Sequence, residues 1–301
     1  MNQQTITTRP PSNEKKQGIG RLLRGRLAPV CLILIGVVAL LYPIVSTNFN
    51  NYQIGKAADE YSKFIEKADT SLVEEKLDAA RDYNRNRTTG PILDPWLSRI
   101  SEDNKDYQEY LSQLDLHEVM ARITIPSLGV ELPVFHGTRD DTLSRGAGHL
   151  YGSDLPVGGA DTHSVITAHS GLPTATMFDD LHKLKSGDSI YIDVYGQRLR
   201  YVVSASQVVQ PDETDSLGPI PRADALTLIT CTPYGINSHR LLVHAQRAPL
   251  ENAGMEQMSG FKVPVWMIIF GSVALAALIG LGVWLYRLSK VNSAKYEDGT
   301  V

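Results

Sequence analysis

The stretch TLITCTPYGINSHRLLV, residues 227–243, has the pattern of two β-strands joined by a polar loop. Apolar and β-branched residues lead up to Cys231 and resume after Arg240, and the Pro, Gly and Asn between them favour a turn. If the two strands pair as antiparallel neighbours, Cys231 and Arg240 lie opposite, or nearly opposite, each other at the mouth of the loop. Whether both side chains share a face depends on register, because a slip of one residue inverts it.

Further short runs of this kind lie between His117 and this pair, and they are separated by Gly, Pro, Asn and Asp. Many short strands within one domain favour a closed barrel or a sandwich. The segment YGQR (195–198) predicts a hairpin turn, and FDDLHKLK (178–185) predicts a short helical turn that Gly187 caps. The expected fold is therefore mainly β, with strands at about 119–125, 130–134, 164–169, 188–194, 198–209, 225–231 and 239–246.

The segment that precedes the strands has a sequence pattern typical of helices. Residues 54–85 repeat apolar positions at a mainly helical period among many charges, which indicates one amphipathic helix or a pair. The apolar stripe comprises Ala58, Tyr61, Ile65, Ala68, Leu72 and Leu77. Gly90, Pro91 and Pro95 interrupt any helix and predict a loop, after which a short helix begins near Ser101.

Two long uncharged blocks flank this middle region. Residues 28–45 and 263–286 are each long enough to cross a hydrocarbon core as a helix. A basic segment precedes the first block, so a cleaved signal peptide is the alternative to an uncleaved signal anchor. Basic residues also follow the second block, and positive residues mark the cytoplasmic side. Both termini are therefore expected inside, with the middle region outside.

Charge and cysteine content exclude some classes of function. The chain has a net charge of −4, although residues 1–27 carry six Lys/Arg and a single Glu, so the middle region is acidic. An acidic exterior argues against nucleic-acid binding, which requires cations to displace phosphate counterions. The chain has two cysteines, and Cys31 lies within the first apolar block. Cys231 therefore has no disulfide partner within the chain outside the membrane, which leaves pairing with another molecule, a reactive thiol or a buried apolar residue.

Cys231, His169 and Arg240 occupy comparable places in the strand pattern and form a candidate catalytic set. A nearby His or Arg favours the thiolate of a cysteine, a histidine can protonate a leaving amine, and a guanidinium can stabilise an oxyanion. An inert cysteine, a solvated arginine and a rival base at His239 or His182 remain as alternatives. The His and Cys spacings match no zinc pattern, and Asp140 and Asp141 have the character of turn formers, so neither metal nor cofactor is expected.

The motifs TLITC followed by Arg nine residues later, and TAHSGLPTATMFDDLHKLKSGDSIYI (167–192), resemble the signatures of sortases, the cysteine transpeptidases of Gram-positive cell surfaces. TCTPYGINSHRLLV and HSGLP resemble the pilin-polymerising class C in particular. The resemblance implies a closed sortase-type barrel of about eight strands. It also implies His169 as base and acid, Cys231 as nucleophile and Arg240 as the oxyanion or substrate-positioning residue.

The same resemblance predicts a role for LDPW in the Pro-rich loop. Class C sortases have a lid with an Asp-Pro-aromatic tip, which implies that Asp94, Pro95 and Trp96 cover the site; an ordinary turn is the alternative. The implied partners are pilins that carry an LPxTG-like sorting signal and a nucleophilic lysine. A housekeeping sortase that attaches proteins to peptidoglycan, and a non-catalytic membrane-anchored β module, remain as alternative functions.

The expected division of the chain follows from these features. It consists of a cytoplasmic tail (1–27), a transmembrane or signal-anchor segment (28–46), a helical region (47–116) with the lid at about 89–100, a catalytic barrel (117–250), a second transmembrane helix (263–286) and a second cytoplasmic tail (287–301).

Overall fold

The computed structural model describes residues 14–87, 101, 103–250 and 263–297, and the side chains of 27–87, 101, 103–250 and 263–290. The chain divides into two units, one formed by Met1–Val45 with Val263–Val301 and the other by Ser46–Lys262. The helices are α1 (Glu14–Lys67), α2 (Thr70–Asn86), α3 (Lys105–Leu111), α4 (Asp140–Leu143) and α5 (Val265–Glu297).

Helices α1 and α5 contain the two apolar blocks. The candidate spans are Leu27–Lys67 and Val265–Lys290, and each is long and apolar enough to cross a membrane. Length and composition are the basis of this assignment, because a run of about 20 apolar helical residues matches the thickness of the hydrocarbon core. These helices agree with the two blocks expected from the sequence, and α1 continues past its block to Lys67.

Eight strands form a closed barrel in the order β1-β2-β3-β4-β7-β8-β6-β5. Six of the eight neighbouring pairs are antiparallel, whereas β2–β3 and β4–β7 are parallel. The strands are β1 (Val119–Ile125), β2 (Val130–His136), β3 (Ala147–His149), β4 (Thr162–Thr167), β5 (Ser189–Val194), β6 (Gln197–Val209), β7 (Asp224–Thr232) and β8 (His239–Ala248). The predicted closed barrel of about eight strands is confirmed.

Two strand predictions need correction. The sequence predicted no strand at β3, because its three residues Ala-Gly-His are too few to show alternation. A Cβ at Gly148 would lie 2.2 Å from the carbonyl oxygen of Gly137, so this strand requires glycine where two backbone segments meet. Strand β4 ends at Thr167 and not at His169, so the histidine lies two residues beyond the strand.

Helices α2 and α3 begin at side-chain caps. The carboxylate of Asp69 accepts hydrogen bonds from the backbone N–H groups of Ser71 and Leu72, and Asn104 accepts one from Tyr107 N–H. The expected helix near Ser101 therefore begins at Lys105. The cap at Asp69 starts a new helix, which changes the helical phase and buries Val73 while leaving Leu72 39% exposed. The prediction that Leu72 belongs to the buried stripe was wrong.

The apolar residues of the barrel divide into two clusters on opposite faces of the sheet. Alternate residues of β4, β7 and β8 face the main core, including Ile166, Leu228 and Val243. The intervening residues form a smaller cluster on the other face, made of Leu150, Val165, Leu217, Ile229 and Leu242. Because side chains alternate along a strand, these two sets fix the face of every residue in the three strands.

Candidate active site

Cys231 is the penultimate residue of β7, and only 8% of its surface is exposed. It pairs directly with Arg240 in the antiparallel ladder between β7 and β8. Directly opposite residues of an antiparallel pair present their side chains on the same face. The pairing expected from the sequence is therefore confirmed, and the register puts the thiol and the guanidinium on one side of the sheet.

That side is the outer face of the barrel. Ile229 lies two residues before Cys231 and Leu242 two residues after Arg240, and both belong to the smaller cluster outside the main core. Since faces repeat every second residue, Cys231 and Arg240 extend the row that this cluster begins. The row ends at the β7–β8 loop, where Tyr234 and Ile236 are exposed.

The chain around His169 runs along the flank of β7 opposite to the one that pairs with Arg240. Strand β4 pairs in parallel with β7 up to Thr167 and Ile229, and Ala168 N–H still donates to the carbonyl of Ile229 at 3.2 Å. The hydroxyl of Ser170 donates to the carbonyl of Cys231 at 2.6 Å. His169 lies between these two contacts along the chain, so its backbone runs beside that of Cys231.

The environment of His169 favours a neutral imidazole. Burial lowers the pKa of His169 below its usual 6.5, because desolvation penalises the charged ring. The nearby carboxylate of Asp140 acts in the opposite direction and raises the pKa of His169. A neutral imidazole has a lone pair with which it can accept the proton of a thiol.

Arg240 is a buried cation, with 7% of its surface exposed. Its Nη1 donates to the carbonyls of Asn237 and His239, each at 3.2 Å, so the end of the β7–β8 loop and the first residue of β8 orient the guanidinium. Burial of a cation weakens solvent screening and increases its effect on a neighbouring thiol or a developing oxyanion. The three residues can together supply a nucleophile, a proton carrier and a fixed positive charge.

The rival histidines lie elsewhere. His239 precedes Arg240 in β8 and therefore presents its ring on the other face, where Nε2 meets Gln210 and Nδ1 meets Ser238. His182 is exposed in a 3₁₀ turn, and its Nδ1 contacts the carbonyl of Asp179. Among the candidates considered from the sequence, His169 is the histidine whose neighbours in the chain, Ala168 and Ser170, bind the backbone of β7.

Several groups around the site were missed in the sequence. Asp140 was assigned a turn-forming role, but it begins α4 and its charge acts on His169. Ser170 binds the Cys231 carbonyl, and the hydroxyl of Thr230 donates to the carbonyl of Ala168 at 2.8 Å. The position of Ser170 directly after the histidine, and of Thr230 directly before the cysteine, was the only signal that could have identified them.

The predicted lid residues Asp94, Pro95 and Trp96 lie outside the residues that the structure describes. Within the described ranges, no group of three or more His, Cys, Asp or Glu side chains is arranged to hold a metal ion.

Residues 123–248 match the sortase domain family. Sortase C-1 from Actinomyces oris is 54% identical over 59% of this chain and 99% of its own, with a TM-score of 0.57. Sortase A from Corynebacterium diphtheriae is 47% identical over 69% and 99% of the two chains, with a TM-score of 0.61. Sortase C from Streptococcus pneumoniae is 40% identical over 65% and 97%, with a TM-score of 0.60. The chain therefore belongs to the sortase family of cysteine transpeptidases, and class C sortases are among the solved structures that it resembles.

Proposed function

We propose that this chain is a membrane-anchored class C sortase that polymerises pilins, with Cys231 as nucleophile, His169 as proton carrier and Arg240 as the oxyanion or substrate-positioning residue. The observation that supports the proposal is the register of β4, β7 and β8: Cys231 pairs with Arg240, and β4 pairs with β7 as far as Thr167 and Ile229, two residues before His169 and Cys231. The similarity to a pneumococcal sortase C whose reported structure bears on pilin substrate specificity supports the pilin substrate. The two apolar helices support the membrane anchor.

The proposed reaction has two steps. The Cys231 sulfur attacks the carbonyl carbon between Thr and Gly of an LPxTG-like signal, and its proton passes to His169. Arg240 stabilises the oxyanion of the tetrahedral intermediate, and His169 then protonates the departing glycine amine. A lysine amine of the next pilin attacks the resulting thioester, gives a proton to His169 and forms an isopeptide bond as the thiolate leaves.

The direct test uses the full-length chain with a peptide that contains the sorting signal. We expect wild-type protein to accumulate a thioacyl adduct on Cys231, detectable by mass, and Cys231→Ala to lose both adduct and peptide cleavage. Cys31→Ala is the matched control, because it removes the other cysteine, which is exposed in the described structure, and should retain activity. An adduct on another residue, or cleavage by Cys231→Ala, would contradict the proposal.

The identity of the accepting amine distinguishes the proposal from a housekeeping sortase. Purified acyl-enzyme is offered a pilin domain with its lysine and, in parallel, a peptidoglycan-precursor amine. Resolution by the pilin lysine supports polymerisation, whereas exclusive resolution by the wall precursor supports attachment to the wall. A non-catalytic β module would form no acyl-enzyme at all.

We also propose that Asp94, Pro95 and Trp96 form a lid, as the resemblance implies. The existence of a lid mutant of the Corynebacterium diphtheriae relative supports the presence of such an element in similar proteins. Replacing both Asp94 and Trp96 with Ala should raise the rate at which a thiol reagent labels Cys231 and the rate of peptide turnover. If neither rate changes in the variant, the segment is a packing element and not a lid.

A further inference from the structure

The chain segment that follows His169, residues 170–179 and here called the histidine loop, connects β4 to the 3₁₀ turn at Leu181–Lys183. Its two ends meet at the backbone around His169. Phe178 N–H donates to the carbonyl of His169 at 3.0 Å, and the carboxylate of Asp179 accepts from Gly171 N–H at 2.8 Å. Gly171 has a φ of +76°, a conformation that favours glycine. The loop therefore closes on the residue that it follows.

The outer part of the histidine loop is held by α1. Asn51 Nδ2 donates to the hydroxyl of Thr176, and Asn51 Oδ1 accepts from Thr176 N–H, both at 3.1 Å. One turn earlier, the buried hydroxyl of Thr47 donates to the carbonyl of Pro173 at 3.1 Å. The partners are 125 and 126 residues apart in the chain. The amide of Asn51 thus binds one loop residue through both of its polar atoms.

The position of Thr176 makes this contact relevant to His169. Thr176 lies two residues before Phe178, whose side chain is fully buried and whose backbone N–H binds the carbonyl of His169. Between them, Met177 is buried and has a φ of +27°, which costs conformational energy for a side chain with a Cβ. A strained backbone of this kind persists only where neighbouring contacts hold it, and Asn51 supplies two of them.

We propose that Asn51 is a positioning residue that acts through Thr176 to fix the histidine loop and thereby the ring of His169. The inference rests on the proposed catalytic role of His169. Because α1 also contains the N-terminal apolar block, the helix that provides the anchor is the one that holds the histidine loop. Proton transfer depends steeply on geometry, since a displacement of about 1 Å can reduce a rate by roughly 100-fold.

The test compares steady-state kinetics of full-length variants with a sorting-signal peptide. Asn51→Ala removes both contacts and should lower kcat by roughly ten-fold, with KM within about two-fold, because substrate contacts are unchanged. Thr176→Val removes only the hydroxyl contact and should lower kcat less. The double variant should be no slower than Asn51→Ala, because the two residues act through one contact.

Two variants separate positioning from general stability. Asn51→Asp keeps two oxygen acceptors for the N–H and the hydroxyl of Thr176 and should restore most of kcat. Gln53→Ala, which removes an exposed amide two residues along the same helix, should behave as wild type. Assays are run well below the unfolding temperature of each variant, so a loss of stability alone leaves kcat unchanged.

The outcomes distinguish this inference from the proposed function. Wild-type kcat in Asn51→Ala, with Cys231→Ala inactive, would overturn the positioning role and leave the proposed function intact. A reduced kcat that Asn51→Asp fails to restore, or one that Gln53→Ala shares, would also overturn it. If Cys231→Ala cleaves the peptide, the proposed function fails first, independently of the result at position 51.

Discussion

At the scale of single residues, the candidate site is defined by what surrounds each ionisable group. Arg240 is a buried cation held by the carbonyls of Asn237 and His239, whereas His169 is partly buried and its pKa is lowered by desolvation. An acyl-transfer thiol is activated by a nearby cation and by a neutral imidazole that can take its proton. The sequence identified all three residue types, but their protonation depends on burial, which the sequence does not contain.

The lowered pKa of His169 predicts the acid limb of the pH–rate profile, that is, the pH range over which activity is lost on acidification. Once both the thiol and the imidazole are protonated, the pair has no base, so kcat/KM should fall as pH decreases through the pKa of His169, with a midpoint below 6.5. Asp140→Asn removes a charge that raises this pKa and should move the limb to lower pH. The pH dependence of peptide cleavage measures both effects.

The exposed Asp141, next to Asp140, provides the control for this prediction. Asp141→Asn removes a charge that is not among the causes of the His169 shift and should leave the limb in place. Because Asp140 is itself exposed, high salt should screen its effect and bring the Asp140→Asn and wild-type limbs together. A limb that moves equally in both variants would contradict the assignment.

At the scale of elements, the end of α2 is joined to the barrel by a buried ion pair. Arg87 Nε donates to one carboxylate oxygen of Asp154 at 2.8 Å, and Arg87 Nη1 donates to the carbonyl of Gly152. The other carboxylate oxygen of Asp154 accepts from His163 N–H in β4, the strand that leads to His169. Both side chains of the pair are at most 7% exposed. One carboxylate therefore links a helix end to the sheet.

Removal of this pair should destabilise the chain strongly. Arg87→Ala leaves a buried carboxylate without its cation, which costs about 3–5 kcal/mol and should lower Tm by on the order of 10 °C. The control is Arg85→Ala, two residues earlier, because the Arg85–Asp82 pair is exposed and contributes at most about 0.5 kcal/mol. Thermal unfolding of the detergent-solubilised chain tests this, and equal shifts in the two variants would refute it.

At the scale of the whole molecule, the barrel buries a histidine, His149, in its neutral form. His149 in β3 is fully buried; its Nε2 donates to the carbonyl of Asp154 at 2.8 Å, and its Nδ1 accepts from the hydroxyl of Tyr110 at 3.0 Å. The carbonyl of Asp154 can only accept, so the neutral ring carries its proton on Nε2. Burial lowers the pKa of His149 to about 3, and the charge of Arg87 acts in the same direction.

The buried His149 predicts a loss of stability in acid. The unfolded chain binds a proton at this residue below about pH 6.5, whereas the folded chain binds it only below about pH 3. The stability that depends on a neutral His149 is therefore fully present above pH 6.5 and is lost as the pH falls from 6.5 to about 3. Below pH 6, the free energy of unfolding decreases by about 1.4 kcal/mol for each pH unit because of this one residue. His149→Gln should remove this part of the pH dependence of unfolding, although the variant is less stable at neutral pH.

The exposed His182 is the control for this prediction. His182→Gln should keep the wild-type dependence of the free energy of unfolding on pH, measured by urea titration between pH 7.5 and 4.5. If His149→Gln and the wild type lose stability with the same slope, His149 is not the group responsible.

The sequence by itself determined the features that depend on neighbouring residues. Alternating apolar runs predicted the strands, uncharged blocks predicted the two long helices, and a short loop between Cys231 and Arg240 brought those residues together, because the turn between adjacent strands sets their register. The motifs resembling sortases then indicated the family. Short elements such as β3 were missed, since three residues show no period.

Only the tertiary structure decided which distant groups meet at the site. Strands β4 and β7 pair in parallel with about 60 intervening residues, and no turn sets their register, so the sequence could not derive from spacing alone which histidine lies beside Cys231. The same holds for Asn51 and Thr176, which are 125 residues apart, and for the neutral state of His149. Contacts between distant segments and the burial that shifts a pKa arise from packing of the whole chain, and they decide where the candidate chemistry is assembled.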